Sequence, residues 1–196
     1  YKKKISNSKI MDELNIKSKN FYLVSAHREE NIENEDRLKN IISIIEYLSD
    51  NHKLPIIVST HPRLRKKLNK YSKKNVILHK PFSFTDYVNL QNNSKIILSD
   101  SGTINEEASI LGLNAINLRE THERPEANEE AITIMTGTNL RNVINAIKYF
   151  ENNPLVSKQK KIIPSYSKEN ISDTISKVII SFINYIKQNN YKENIN

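Results

Sequence analysis

The chain has 196 residues, a formal net charge of +8, 37% apolar and 27% charged residues, six prolines and no cysteine. That much apolar material at this length builds one folded domain and excludes disorder throughout, and the lack of cysteine excludes disulfides and thiolate metal sites. No window approaches the ~18 consecutive apolar residues of a membrane helix, and no signal-peptide core follows Tyr1-Lys2-Lys3-Lys4-Ile5, so a cytoplasmic protein without a membrane partner is expected.

Residues 1–19 are polar and are expected to form a loose leading segment, and a chain that starts on Tyr1 in place of methionine is expected to be a fragment. Phe21-Tyr22-Leu23-Val24-Ser25-Ala26 predicts a strand, and Asn34 is a candidate N-cap for a helix with Leu38, Ile41, Ile42, Ile45 and Leu48 on one face. Pro55-Ile56-Ile57-Val58-Ser59 predicts the next strand, and Pro62 suits a first helical turn ahead of Leu64, Leu68 and Tyr71. Val76-Ile77-Leu78 precedes a helix from about Ser83 to Asn92, and Ile96-Ile97-Leu98-Ser99 precedes one from about Gly102 to Leu111. Ala115-Ile116-Asn117-Leu118 and Ala131-Ile132-Thr133-Ile134 continue the strands, the latter before a helix carrying Leu140, Val143, Ile144 and Ile147.

Strands alternating with helices predict right-handed crossovers and an α/β, doubly wound parallel sheet. Their unbroken apolar runs suit strands covered on both faces. Pro154 and Pro164 interrupt the rhythm, and a last helix with Ile171, Ile175, Val178, Ile179, Phe182, Ile183 and Ile186 on one face predicts packing against something sizeable. The division expected is a leading segment 1–19, a nucleotide-binding domain 20–165 and a terminal helix and tail 166–196.

In open parallel sheets ligands bind beyond the carboxyl ends of the strands. Five such loops carry polar residues: 25–31, 59–63, 79–82, 99–103 and 119–126, with His27, His61, His79 and His122 among them. Core packing requires none of these histidines. Ser101-Gly102-Thr103 lies at a strand-to-helix junction, where backbone N–H groups and the helix dipole favour an anion and Gly102 permits close approach. The plainer reading is a helix cap, since Thr103 and Glu106 have capping-box spacing. With three glycines and neither G-x-G-x-x-G nor G-x-x-x-x-G-K-[ST], a phosphate would be met by side chains such as His27, Arg28, Arg119 and Arg124.

Glu107, one turn into the helix, is within reach of a ribose diol, the plainer reading being a surface or capping carboxylate. The histidines lack metal-ligand spacing, so neither metal nor cofactor is assigned. Ser101, His27 and Asp100 leave a Ser/His/Asp hydrolase open, although no G-x-S-x-G elbow is present. His52 reads as a solvated loop residue. The basic run Arg63, Arg65, Lys66, Lys67, Lys70, Lys73, Lys74 suits a polyanion, but mostly scattered lysines read as a solvated face, and no nucleic-acid partner is expected.

Together, SAHREEN at 25–31, STHPR at 59–63, HKPFSFTDY at 79–87, SDSGTINEEASILG at 99–112 and THERPEA at 121–127 resemble the non-hydrolysing UDP-N-acetylglucosamine 2-epimerases. The resemblance implies a two-domain GT-B-type enzyme of which this chain is the second, Rossmann-like half, a homodimer when complete, with the N-terminal domain absent and the last helix crossing back to that domain. It implies a UDP-sugar substrate and anti elimination of UDP, followed by re-addition with a proton delivered to the opposite face of C2.

Carried over by residue, His27 is the histidine at the diphosphate needed for turnover, Ser101, Gly102 and Thr103 form the phosphate loop, Glu107 holds the ribose, and Arg119, Glu123 and Arg124 lie at the substrate. Pro81, Phe82 and Tyr87 match the region around the uracil. Arg28 also lies at the substrate, and with His61 matches a second, activating nucleotide-sugar site of some members. Thr103 and His122 stand where the glucosamine enzymes usually carry glycine and threonine, and resemble the branch acting on UDP-2-acetamido-2,6-dideoxyhexoses, which forms UDP-N-acetyl-L-fucosamine for capsule or O-antigen. A GT-B glycosyltransferase, or a module that binds without turnover, is the alternative.

Overall fold

Among the residues described by the computed structural model, which are 1–60, 64, 65, 68, 73–121, 125–153 and 162–193, six strands form one parallel sheet. They are β1 (Tyr22–Ala26), β2 (Ile56–Thr60), β3 (Val76–His79), β4 (Ile96–Ser99), β5 (Ala115–Asn117) and β6 (Ile134–Met135), in the spatial order β3-β2-β1-β4-β5-β6. The sheet is Rossmann-like and doubly wound. Successive strand residues feed different cores, as a period of two requires. Tyr22, Val24 and Ala26 join one cluster with the Glu35–Asn51 and Leu140–Asn152 helices, and Leu23 joins a second with Ile57, Ile97, Leu90, Ile104 and Ala108.

The helices begin where short polar side chains satisfy their first N–H groups. Asn34 accepts from Asp36 N and Arg37 N at 3.0 Å each, Ser83 from Asp86 N at 3.2 Å, and Asn139 from Asn142 N at 3.1 Å. The Glu35–Asn51 helix buries Leu38, Ile41, Ile42, Ile44, Ile45 and Leu48, each contributing roughly 2 kcal/mol of apolar transfer. The Ile104–Leu111 helix stops at Gly112, whose φ of 69° suits a residue without a β-carbon. Leu64 and Leu68 are buried as their spacing implies, while Pro62 and Tyr71, most of the basic run around them (Arg63, Lys66, Lys67, Lys70) and Pro154 lie outside the described residues.

Two stretches differ from the sequence reading. Residues 1–19 carry short helices at Lys2–Ser6 and Ile10–Glu13 in place of a loose segment, with Ile10 and Ile16 buried in the second core. The Asn89 amide donates to Ile5 O at 2.7 Å, and Lys19 Nζ to Asn92 O at 2.7 Å. The segment is polar on average, but these few side chains are enough to seat it. The strand expected over Ala131–Ile134 is only Ile134–Met135. The Pro125–Glu129 helix runs out through Ala131 at φ 50°, and Ile132 N bonds back to Ala127 O at 3.1 Å. That six-to-one closure uses the residues that the apolar run assigned to a strand.

The chain divides into two units, Tyr1–Ile163 and Pro164–Asn196. The second consists of a 3-10 turn at Pro164–Tyr166 and the Ile171–Glu193 helix, where Ile171, Ile175, Val178, Ile179, Phe182, Ile183 and Ile186 are exposed. Among the described residues no helix is long and apolar enough to cross a membrane.

Candidate functional site

The strands are apolar until their last residues, and there the register lines up a polar row. His79 lies beside Ser59, Ser59 beside Ser25, Ser25 beside Ser99, and Ser99 beside Asn117. Strands β1 and β4 are neighbours although β2 and β3 intervene in sequence. The chain therefore leaves these two strands in opposite directions and opens a crevice between them, the position where open α/β sheets bind ligands.

The two loops at that crevice are joined by Asp100, which is fully buried. Its carboxylate accepts from His27 N at 3.0 and 3.1 Å, Arg28 N at 3.0 Å and the Asn31 side-chain amide at 3.0 Å. Both oxygens are thus taken up by backbone and amide donors instead of an imidazole ring, which is not the relay of a Ser/His/Asp hydrolase. Tyr87, expected near a base, faces Ser25 and Ser99 at the same strand ends, and burial pushes its pKa up to about 12. It is a neutral phenol in the floor of the crevice.

Beyond Asp100 the chain turns through Ser101, Gly102 and Thr103 into the Ile104–Leu111 helix. Thr103 makes no capping bond, because its φ of −97° and ψ of 5° are not the extended backbone that directs a side chain to the helix N–H groups. Its hydroxyl donates instead to Glu107 Oε1 at 2.6 Å and lies 3.0 Å from Ser101 Oγ. The other Glu107 oxygen accepts from the fully buried amide of Gln91. The capping box is not formed.

A β-carbon built on Gly102 would lie 3.6 Å from Arg119 Nη1 and 3.8 Å from Arg28 Nη2. Two guanidinium groups, from the loops after β5 and β1, therefore converge on the bare face of this glycine. Arg119 is 4% exposed, whereas the Arg28 side chain is 34% exposed and its Nη1 lies 3.3 Å from Glu30 Oε1. A helix N-terminus, two forked cations and a glycine that places no side chain of its own before them suit a compact polyanion.

His27 is exposed beside Arg28. After β3, the His79 ring stacks on Phe82 with centroids 4.0 Å apart and planes within 1°, and Pro81 is exposed. Of the residues singled out from the sequence, His27, Arg28, Ser101, Gly102, Thr103, Glu107 and Arg119 are gathered around the crevice between β1 and β4, with Tyr87 beneath it. His61, His122, Glu123 and Arg124 lie outside the described residues. Sequence reasoning gave no anchoring role to Asp100, Asn31 or Gln91. Their only signal was a polar side chain at a strand end or on a buried helix face.

At the opposite, amino-terminal end of the strands, Tyr22 OH donates to Glu151 Oε1 at 2.8 Å, Lys95 Nζ lies 2.6 Å from the same oxygen, and His52 Nδ1 is 3.1 Å from Tyr22 OH. His52 is therefore not a solvated loop residue. It follows the Glu35–Asn51 helix directly and comes to rest against the first residue of β1, with only 16% of its side chain exposed.

The UDP-N-acetylglucosamine 2-epimerase family profile matches residues 1–180. The UDP-N-acetylglucosamine 2-epimerase of Methanocaldococcus jannaschii is 34% identical over 153 residues, which are 74% of this chain and 40% of that protein. The solved UDP-N-acetylglucosamine 2-epimerase of Rickettsia bellii superposes with a TM-score of 0.76 at 36% identity, covering 95% of this chain and 51% of that one. The M. jannaschii enzyme in complex with UDP-GlcNAc and UDP superposes with a TM-score of 0.74 at 28% identity, covering 92% and 50%. The chain spans about half the length of these relatives or less.

Proposed function

The chain belongs to the UDP-N-acetylglucosamine 2-epimerase family, and from that premise we propose that it is the UDP-holding, C-terminal half of a non-hydrolysing epimerase that inverts C2 of a UDP-2-acetamido sugar. The observation that carries this reading is the convergence of Arg28 and Arg119 on Gly102 at a helix start in the β1/β4 crevice. A diphosphate fits that arrangement, with the two guanidinium groups and the turn at Ser101–Thr103 as its donors. Glu107 lies one turn further along the same helix, where a ribose diol would follow, and the Pro81–Phe82 loop borders the base.

In the proposed reaction a base removes the proton from C2 while the C1–O bond breaks and its electron pair departs with the β-phosphate of UDP. The resulting 2-acetamidoglycal then takes UDP back at C1 and a proton on the opposite face of C2. The residues of this chain hold the leaving group. Charge develops on the departing diphosphate, and preorganised donors stabilise it, each worth up to ~3 kcal/mol in a site sheltered from water. His27 stands at the mouth of the crevice beside Arg28, suited to meet the departing oxygen, and by family resemblance Glu123 and Arg124 complete the wall.

The groups that act on C2 belong to the other half of the enzyme, and the apolar row on the Ile171–Glu193 helix is a surface suited to contact that half. The substrate is UDP-GlcNAc or a 6-deoxy relative, the latter favoured by Thr103 and His122, and the product serves capsule, O-antigen or other envelope sugar synthesis in the cytoplasm. The complete enzyme is proposed to be a homodimer, with His61 and Arg28 available to a second, activating nucleotide sugar.

Isothermal titration with UDP tests the site. The folded chain is expected to bind, and Gly102→Ala, which inserts a methyl group between the guanidinium groups without backbone strain, to weaken binding at least about ten-fold with an unchanged melting temperature. A folded wild-type chain that takes up no UDP would overturn the assignment.

A further inference from the structure

We propose that Asp100 is the positioning residue that sets His27 and Arg28 for the ligand, acting through their backbone without touching the ligand itself. It occupies the point where the two central strands diverge, fully buried, directly after β4 and across from the end of β1. Its own N–H continues the sheet ladder to Ser25 O at 3.2 Å, so the side chain starts from a fixed backbone. From there the carboxylate binds two consecutive amides, those of His27 and Arg28, and the Asn31 amide that closes the same loop.

Holding two consecutive amides fixes the peptide planes on both sides of His27. Arg28 is left extended, at φ −68° and ψ 132°. Neighbouring side chains on extended backbone project to opposite sides. The Arg28 guanidinium accordingly reaches Gly102 while His27 faces solvent at the crevice mouth. One buried charge thus determines the placement of both groups. A buried carboxylate is costly unless its oxygens are saturated with donors, and the three N–H groups from residues 27, 28 and 31 supply them.

The isosteric amide separates this role from simple packing. In D100N the oxygen satisfies most donors at the Oδ2 position, which serves His27 N, Arg28 N and Asn31. The NH2 group then falls at the Oδ1 position, 3.0 Å from His27 N, where donor faces donor. The bifurcated His27 bond is cut to its single 3.1 Å branch beside a repelling NH2 group and weakened, while Arg28 is held. This inference rests on the reading of the crevice as a UDP site only for the identity of the ligand.

The test combines amide NMR of the 196-residue chain with UDP affinities for wild type, D100N, H27A and H27A/D100N. In D100N the His27 amide proton is expected to move upfield while amides of β5 and β6 stay in place, and UDP affinity to fall about ten-fold, as for a lost charge-assisted bond. In the H27A background the same change is expected to cost much less, because the group it positions is already gone. An unmoved His27 amide, or losses that multiply in full, would overturn the proposal. If wild type binds no UDP, the UDP reading fails and the amide shift alone decides the role of Asp100. Should D100N not fold, the wild-type amides decide it: downfield shifts with small temperature dependence at His27 and Arg28 support the clamp, and random-coil values refute it.

Discussion

Arg28, Gly102 and Arg119 stand at strand ends, where topology alone assigns a ligand. Asp100 occupies the same kind of position, but whether a carboxylate there faces a ligand or the backbone of a neighbouring loop depends on a contact between residues 72 and 73 positions apart. Thr103 shows the opposite failure, since capping-box spacing predicted a local bond that its backbone angles do not allow. His52 was misread for a related reason: a polar residue after a helix is usually solvated, and only the tertiary fold brings Tyr22 and Glu151 to it.

That placement makes stability depend on pH. Burial lowers the His52 pKa below its ordinary 6.5, Lys95 lowers it further and Glu151 opposes both. The folded state therefore binds fewer protons than the unfolded chain, so its stability is complete above about pH 6.5 and is lost as the pH falls below that. Glu151 adds a loss at lower pH. Burial opposes its charge, but hydrogen bonds from Lys95 and Tyr22 prevail and hold it under the usual carboxylate range. Thermal melts between about pH 7 and pH 5 are expected to show a falling midpoint in wild type and a flatter profile in His52→Gln. Parallel profiles would remove His52 as the cause.

Helices and central strands announced themselves through period, caps and breakers, because those signals are local. Asn34 caps the helix it was expected to cap, Ser83 caps the helix expected to begin there, and Asn139, not singled out from the sequence, caps the helix that carries Leu140. The edge of the sheet was less legible. The apolar run Ala131–Ile134 satisfies a strand pattern, but the preceding helix consumes its first residues in a closing turn with Ala131 at φ 50°. A left-handed alanine is strained by ~1 kcal/mol or more, against the entropy that glycine loses on folding. Ala131→Gly is accordingly expected to stabilise by about 0.5–1 kcal/mol, a rise of roughly 1–4 °C in a calorimetric scan. A lower midpoint would mean that the alanine is not strained.

At the scale of the whole chain, alternation of strands and helices was enough to define a doubly wound sheet, but not the order of its strands. That order, with β1 and β4 adjacent, decides which two of five polar loops face each other. The chain also spans about half the length of its solved relatives, which shapes what it can do alone. It is expected to bind UDP and leave UDP-GlcNAc unconverted in a coupled assay, whereas a chain carrying the other half is expected to turn it over. Conversion by the 196 residues alone would place the C2 base among them and overturn the division of labour proposed above.

The joint at Asp100 also bears on motion. Ligand-binding loops usually belong to the least stable parts of a protein and open far more often than its core. The amides of His27 and Arg28 are instead bonded to a carboxylate sealed between two central strands, so their exchange with solvent deuterium requires that the sheet itself part. Their protection should match that of β1 amides such as Leu23 and Val24, far above what an exposed loop shows. A loop of that kind meets its ligand already ordered, and closing over a nucleotide costs it little entropy.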